Sequence, residues 1–242
     1  MKHVELSIVI PAFNEENSLP PLLEKLLALQ FPRKTDYEII VVDDASTDLT
    51  YNVVEGFSHL GVKIYRLEKN SGKGAAVSAG IAMALGKFCI VQDADLEYDP
   101  DDIPGLLGAA QEFAGVTVYG SRVLGAKKKK GILGVIAYCP GQALSSWAFN
   151  IVLSAWVYAL RRIWITDTLT GYKLYPMEIF DNWSATTKGF ETDHEITSRI
   201  LNRNGRILEI PISYTPRTKK EGKKIRAVDG LIALRTFWIF RK

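Results

Sequence analysis

The chain has 242 residues, enough for one domain with a sizeable buried core. Hydrophobic residues make up 47% and charged residues 24%, a balance that excludes a disordered chain. The net charge of +3 is too small to point to nucleic acid, and two cysteines, Cys89 and Cys139, do not make a disulfide framework or a zinc site.

Residues 6–10 form a short β-branched run that reads as a strand, with no signal-peptide pattern before it. Apolar residues at helical spacing follow over 17–29. A second strand over 37–42 ends in Asp43 and Asp44, and Ser46, Thr47 and Asp48 are placed to cap a helix running to about Phe57. A third strand covers 62–66, a helix of small residues 74–84, and a fourth strand 87–91, with Cys89 as a core residue. This alternation predicts an α/β fold, a mostly parallel central sheet flanked by helices, with ligands at the carboxyl ends of the strands. Asn14-Glu15-Glu16, Asp43-Asp44 and Asp93-Ala94-Asp95 each fall just after a strand.

Residues 116–119 read as a strand leading to Gly120-Ser121-Arg122. The stretch 131–160 carries no charged residue and on that count could cross a bilayer, but Pro140-Gly141-Gln142 interrupt it. An amphipathic helix or helix pair, part core and part interfacial, fits it better. Trp147, Phe149, Trp156 and Tyr158, flanked by Arg161 and Arg162, suit a membrane interface, and a buried core helix is the plain alternative. A late strand covers 207–214, and 228–240 reads as a helix too short to span a bilayer. No linker divides the chain, so 1–242 is expected to be a single domain, with 131–165 its candidate membrane-interface segment. Basic residues gather at 127–130 and at Arg217, Lys219, Lys220, Lys223, Lys224 and Arg226. Such runs are either solvated loops or contacts to phosphates or an anionic membrane surface.

The chemistry concentrates at the strand ends. Asp93 and Asp95, separated by one small residue, can both reach one hard cation, and Mg2+ or Mn2+ takes oxygen ligands and shares them with substrate phosphates. Glu97 is either a further ligand or an exposed loop acid. Asp43 or Asp44 can hydrogen-bond a base or ribose, while Ser46 and Thr47 cap. Asn70-Ser71-Gly72-Lys73-Gly74 lacks the spacing of a Walker A loop. It reads instead as a helix start that lets a ligand approach closely, with Lys73 available to an anion. No Gly-x-Gly-x-x-Gly follows the first strand, which disfavours a dinucleotide-binding domain.

The motifs at 7–15, 41–48, 70–74 and 92–95, in that order, resemble those of family 2 glycosyltransferases with a GT-A fold. Gly120-Ser121-Arg122, the stretch from Asp167 to Lys173, and Tyr214 to Arg217 with Glu221 to Lys224 resemble the dolichyl-phosphate (polyprenyl-phosphate) mannose or glucose synthase branch. The resemblance implies that Pro11, Ala12, Glu15 and Asp43 hold the nucleotide's base and ribose, with Lys73 near the base or phosphates. Asp93 and Asp95 would flank the metal and diphosphate, with Glu97 as a further metal ligand. Arg122 would face the sugar or acceptor phosphate, and Arg217, Lys219 and Lys224 would close over phosphates. It implies a UDP- or GDP-hexose donor, a polyprenyl phosphate acceptor, Mg2+ or Mn2+ as cofactor, and peripheral association with the cytoplasmic face of a membrane.

Family 2 enzymes invert the anomeric carbon by in-line displacement. A lipid monophosphate has its second ionisation at about pH 6 and needs positioning by cations more than proton removal. A hydroxyl acceptor needs a general base, and Asp193 in Phe190-Glu191-Thr192-Asp193-His194-Glu195 is the candidate. Otherwise Glu191 and Asp193 bind sugar hydroxyls or cap a helix over 195–202. His194 is expected to be structural or solvent-facing. Asp167 and Thr170 shape the acceptor-side wall, with Gly171 permitting an unusual backbone. A catalytically dead binding module is disfavoured by the presence of both Asp93 and Asp95, and a nucleotidyltransferase by Pro11-Ala12-Phe13-Asn14-Glu15.

Overall fold

The computed structural model describes residues 4–136, 144–216 and 227–241. Its strands are β1 (Leu6–Ala12), β2 (Tyr37–Asp43), β3 (Lys63–Arg66), β4 (Phe88–Val91), β5 (Val116–Ser121), β6 (Lys173–Pro176) and β7 (Arg206–Pro211). They form one sheet in the order β3-β2-β1-β4-β6-β5-β7. β1 pairs in parallel with β2 and β4, β2 with β3, and β5 with β7, while β6 runs antiparallel to both β4 and β5.

The continuous apolar runs at 8–10 of β1 and 39–42 of β2 are what a sheet covered on both faces requires. Leu6, Ile8 and Ile10 join one core with Ile39 and Val41, while Val9 faces the opposite core. The first face is covered by α1 (Leu19–Leu27) and α4 (Ile103–Glu112) through Leu22, Leu26, Leu106 and their neighbours. The second is covered by α3 (Lys73–Met83), α6 (Leu144–Arg161), α7 (Thr192–Asn202) and α8 (Ala227–Ile239), through Val77, Leu153, Val157, Ile196 and Phe237. Burying each such large aliphatic side chain contributes roughly 1.5–3 kcal/mol. α2 (Thr50–Glu55) and α5 (Arg122–Ile136) complete the set, and α5 breaks at Gly131, whose φ is 63°. The chain leaves β1 for β2 and β3 on one side and returns to β4 on the other. The carboxyl ends of β1 and β4 therefore bracket the point where strand order reverses, and a crevice opens there.

The apolar stretch 131–160 divides into the end of α5 and most of α6, with 137–143 outside the described residues. No helix among the described residues is long and apolar enough to cross a membrane. α6 has the two-sided character expected of it. Leu153 and Val157 are buried, whereas Ile151, Val152 and Tyr158 are exposed. α8 continues the exposed strip with Leu231, Trp238 and Ile239, and Trp156 stacks on Trp238 at 6.0 Å between ring centres.

α7 begins at Thr192 rather than Glu195, so Asp193 lies in its first turn and His194 points into the core. The His194 ring lies 5.3 Å from that of Phe237 on α8, and its Nδ1 has no hydrogen-bond partner among the described residues. Burial pushes the ring's pKa down to about 4; Asp193 opposes that shift and Lys173 adds to it. Between pH 6.5 and about 4 the unfolded chain therefore takes up a proton that the folded chain refuses, and stability falls as pH is lowered through that window. At pH 5 the loss from this group should be on the order of 2 kcal/mol. His194→Leu should narrow the gap between urea midpoints at pH 7 and pH 5, and an unchanged gap would assign the acid sensitivity elsewhere.

Candidate active site

Three loops meet at the carboxyl ends of β1, β2 and β4, and each turns through a left-handed residue that is not glycine: Asn14 (φ 54°), Ala45 (φ 56°) and Leu96 (φ 58°). Such conformations persist when their surroundings hold them, and they cluster at functional sites. The first two loops are stitched together. Asn14 N donates to Ser46 Oγ at 2.9 Å, Thr47 N to Asn14 Oδ1 at 2.9 Å, and Glu15 N to Thr50 Oγ1 at 2.9 Å. Ser46 and Thr47 therefore brace the β1 loop and do not cap α2, whose first turn is instead met by Asp48 Oδ1 accepting from Thr50 N at 2.9 Å.

The two acids after β2 separate in role. Asp44 accepts from Ser71 N at 2.7 Å and Gly72 N at 2.8 Å, so it clamps the loop before α3. Asp43 is fully buried; its Oδ1 accepts from Ser46 N at 2.9 Å. Its Oδ2 lies 3.4 Å from Arg66 Nε and has no hydrogen-bond partner among the described residues. That oxygen is closed off from solvent, with the Arg66 guanidinium as its counter-charge. Pro11 and Ala12 close β1 beside it, and Ala12 O accepts from Asp44 N at 2.8 Å. Glu15 follows, its Oε2 accepting from Ser18 Oγ at 2.7 Å.

The start of α3 corrects one expectation. Its first amides are taken by the chain itself, with Gly74 N donating to Lys188 O at 2.7 Å and Ala75 N to the same oxygen at 3.3 Å. A Cβ on Gly74 would stand 1.9 Å from Thr192 Oγ1 and 2.8 Å from Gly189 O. The glycines here admit the 186–192 segment and not a ligand. Glu195 holds that segment in turn, accepting from Thr186 N and Oγ1 and from Thr187 N and Oγ1 at 2.7–3.2 Å. The side chain of Lys73 does reach the crevice, where its Nζ lies 2.5 Å from Asp93 Oδ1 and 5.5 Å from the centre of the Phe190 ring. Burial pulls the Lys73 pKa down, but Asp93 and then Asp193 and Asp95 outweigh it, and the net shift is upward.

The crevice already holds one cation, the Lys73 ammonium on Asp93, and its donors are carboxylates, the hard oxygens that Mg2+ and Mn2+ take alongside substrate phosphate. Among the described residues no three acidic, histidine or cysteine side chains converge into a closed cage. Asp95 Oδ1 accepts from Glu97 N at 3.2 Å, and Glu97 Oε2 accepts from Tyr214 Oη at 2.6 Å. Asp93 and Asp95 would hold the ion together with a substrate diphosphate. Gly171 flanks Asp93, but its φ is ordinary, contrary to expectation. What its lack of a side chain provides is room, because a Cβ would stand 3.1 Å from Asp93 Oδ2 and 3.2 Å from the Tyr98 ring.

Arg122 is held by a two-pronged ion pair. Its Nε and a terminal nitrogen donate to the fully buried Asp167 at 2.8 Å each, and its guanidinium lies 4.9 Å over the Tyr214 ring. Glu209 on β7 fixes the backbone beneath, accepting from Thr166 N at 2.8 Å and Asp167 N at 3.1 Å. Thr170 donates to Gly120 O at 2.6 Å, which ties the same loop to β5.

Sequence reasoning gave Lys173 no role. Its side chain is wholly buried, faces the Tyr119 ring at 4.9 Å, and donates to Asp193 Oδ2, while Tyr175 Oη donates to Asp193 Oδ1 at 3.3 Å. Burial lowers the Lys173 pKa and the attraction of Asp193 recovers only part of it. The signal was a lone lysine in the apolar stretch from Tyr172 to Tyr175, where alternation puts it on the same inward face as Tyr175. Arg217, Lys219 and Lys224 lie outside the described residues.

Residues 7–180 match the family described as "Glycosyl transferase family 2", and the chain belongs to that family. Over 229 residues it is 28% identical to the dolichol-phosphate mannosyltransferase of Pyrococcus furiosus, covering 91% of this chain and 59% of that protein. Over 110 residues it is 40% identical to the dodecaprenyl-phosphate galacturonate synthase of Rhizobium johnstonii, covering 44% of this chain and 32% of that protein. The chain thus spans less than two thirds of either relative's length. Its backbone resembles that of glucosyl-3-phosphoglycerate synthase from Mycobacterium tuberculosis, solved with Mn2+, UDP-glucose and phosphoglyceric acid. The TM-score is 0.69 at 18% identity, over 98% of this chain and 80% of that one. The shared fold is GT-A.

Gly74→Ala should force the 186–192 segment off α3. We expect a loss of about 1–3 kcal/mol in unfolding free energy and faster limited proteolysis at 186–192. Unchanged proteolysis would mean that the segment is held by Glu195 alone.

Proposed function

We propose that this protein transfers a hexose from a UDP- or GDP-sugar to a polyprenyl phosphate at a membrane surface, using Mg2+ or Mn2+. The observation that carries the acceptor assignment is the engagement of Asp193. Both of its oxygens are held, one by the buried Lys173 and one by Tyr175, at the position where a hydroxyl acceptor would need a base. A phosphate dianion needs no base. The names of the relatives support the same acceptor class, since they act on dolichol phosphate and dodecaprenyl phosphate.

In this reading Pro11, Ala12, Glu15 and Asp43 receive the base and ribose, and Lys73 meets the phosphates. Asp93 and Asp95, with Glu97 beside them, orient the diphosphate. A metal bound there supplies neutralisation of charge on the leaving diphosphate. Arg122, kept rigid by Asp167, faces the transferred sugar or the acceptor phosphate. Arg217, Lys219 and Lys224, which lie outside the described residues, are assigned by the family resemblance to the phosphates. The exposed apolar strip of α6 and α8 lies against the membrane, on its cytoplasmic face, and the chain acts as one domain.

The test incubates purified protein with Mn2+ or Mg2+ and UDP-glucose, UDP-N-acetylglucosamine or GDP-mannose, each with and without a short polyprenyl phosphate. A glycolipid that requires the lipid phosphate and vanishes in Asp95→Ala is the expected product. Asp193→Asn should retain lipid transfer to within about tenfold, because a lost general base would remove roughly 100-fold or more. A drop of that size in a folded variant, or transfer only to a hydroxyl, would replace the lipid-phosphate reading by one in which Asp193 is the base.

A further inference from the structure

We propose that Lys73 is a tethered counter-ion that holds the cation position at Asp93 until a nucleotide arrives, so that metal and nucleotide bind together and not separately. This rests on reading Asp93 and Asp95 as the metal-bearing acids. The Lys73 ammonium lies 2.5 Å from Asp93 Oδ1, with the two side chains only 29% and 21% exposed. Lys73 is the first residue of α3, and the amide after it is fixed to Lys188 O, so the stem starts from an anchored backbone. Phe190 covers the ammonium from another side. A divalent ion and an ammonium cannot share one carboxylate oxygen without strong repulsion.

The arrangement also limits where the displaced ammonium can go. Asp193 is the next acid that attracts it, but Asp193 is already paired with Lys173, and Asp44 is committed to Ser71 N and Gly72 N. A nucleotide diphosphate entering the crevice offers the oxygens that can take Lys73 off Asp93. Metal alone must then bind against the charge of Lys73, whereas metal with nucleotide binds as Lys73 moves onto phosphate. Linkage requires each ligand to raise the other's affinity by the same factor.

The direct measurement is Mn2+ affinity, read from the free-ion electron paramagnetic resonance signal, without nucleotide and with saturating UDP or GDP. Wild type should bind Mn2+ alone weakly and bind it more tightly with nucleotide. Lys73→Met should bind Mn2+ alone about tenfold more tightly than wild type, with the nucleotide enhancement reduced by a similar factor. Lys73→Arg should stay close to wild type, as should Lys34→Met, which removes one charge from an exposed position away from the crevice. Thermal melts establish that each variant is folded. A folded Lys73→Met whose metal-only affinity is unchanged or weaker would overturn the proposal, as would an equal gain in Lys34→Met. Failure of wild type and variant alike to take up Mn2+ with either nucleotide would overturn the metal reading itself, and this proposal with it.

Discussion

Carboxylates crowded at the ends of neighbouring strands repel one another, and a sheet that gathers them must supply positive charge of its own. Among the described residues, three acids around the crevice each have a cation beside them: Lys73 for Asp93, Lys173 for Asp193, and Arg122 for Asp167. Two of these cations come from residues that open an element, α3 and α5, and the third opens β6. The loops around them are then positioned by hydrogen bonds to their own backbones, as Asp44 and Glu195 illustrate.

Such pairing is not chiefly a source of stability. Taking Lys173 out of water costs several kcal/mol, and the attraction of the part-exposed Asp193 recovers only part of it. What the pairs provide is direction. A two-pronged grip leaves Arg122 a single orientation, and the Tyr214 ring lies against its guanidinium, backed by Tyr98 stacked on Tyr172 at 4.9 Å. A charged substrate would therefore meet groups that need little reorganisation.

The parts of this arrangement legible in the sequence were those written in local pattern. The β-branched runs of β1, β2 and β4 announced a sheet buried on both faces, and the acids after them announced the crevice. Long-range pairings were invisible. Asp43 and Asp44 are adjacent in sequence, and only the tertiary position of Ser71 and Gly72 shows which acid is committed. Lys188 O caps a helix more than a hundred residues earlier in the chain, and a backbone carbonyl leaves no trace in residue type. Ser46 and Thr47 have the composition of a helix cap, but the β1 loop claims them first. Where α6 has described side chains, it buries Leu153 and Val157 and exposes Ile151 and Val152, a contrast that helical spacing carries locally.

The capping of α3 by Lys188 bears on what can vary in this chain. The segment from the end of β6 at Pro176 to Lys188 looks like a surface connection, the kind that ordinarily tolerates changes of length. Yet its far end closes the amides of Gly74 and Ala75, and α7 follows within four residues to present Asp193. One inserted residue between Thr187 and Thr192 would put either the carbonyl or the carboxylate out of register, and with it the junction between the two halves of the crevice. This connection is constrained by length as tightly as a core position is constrained by volume.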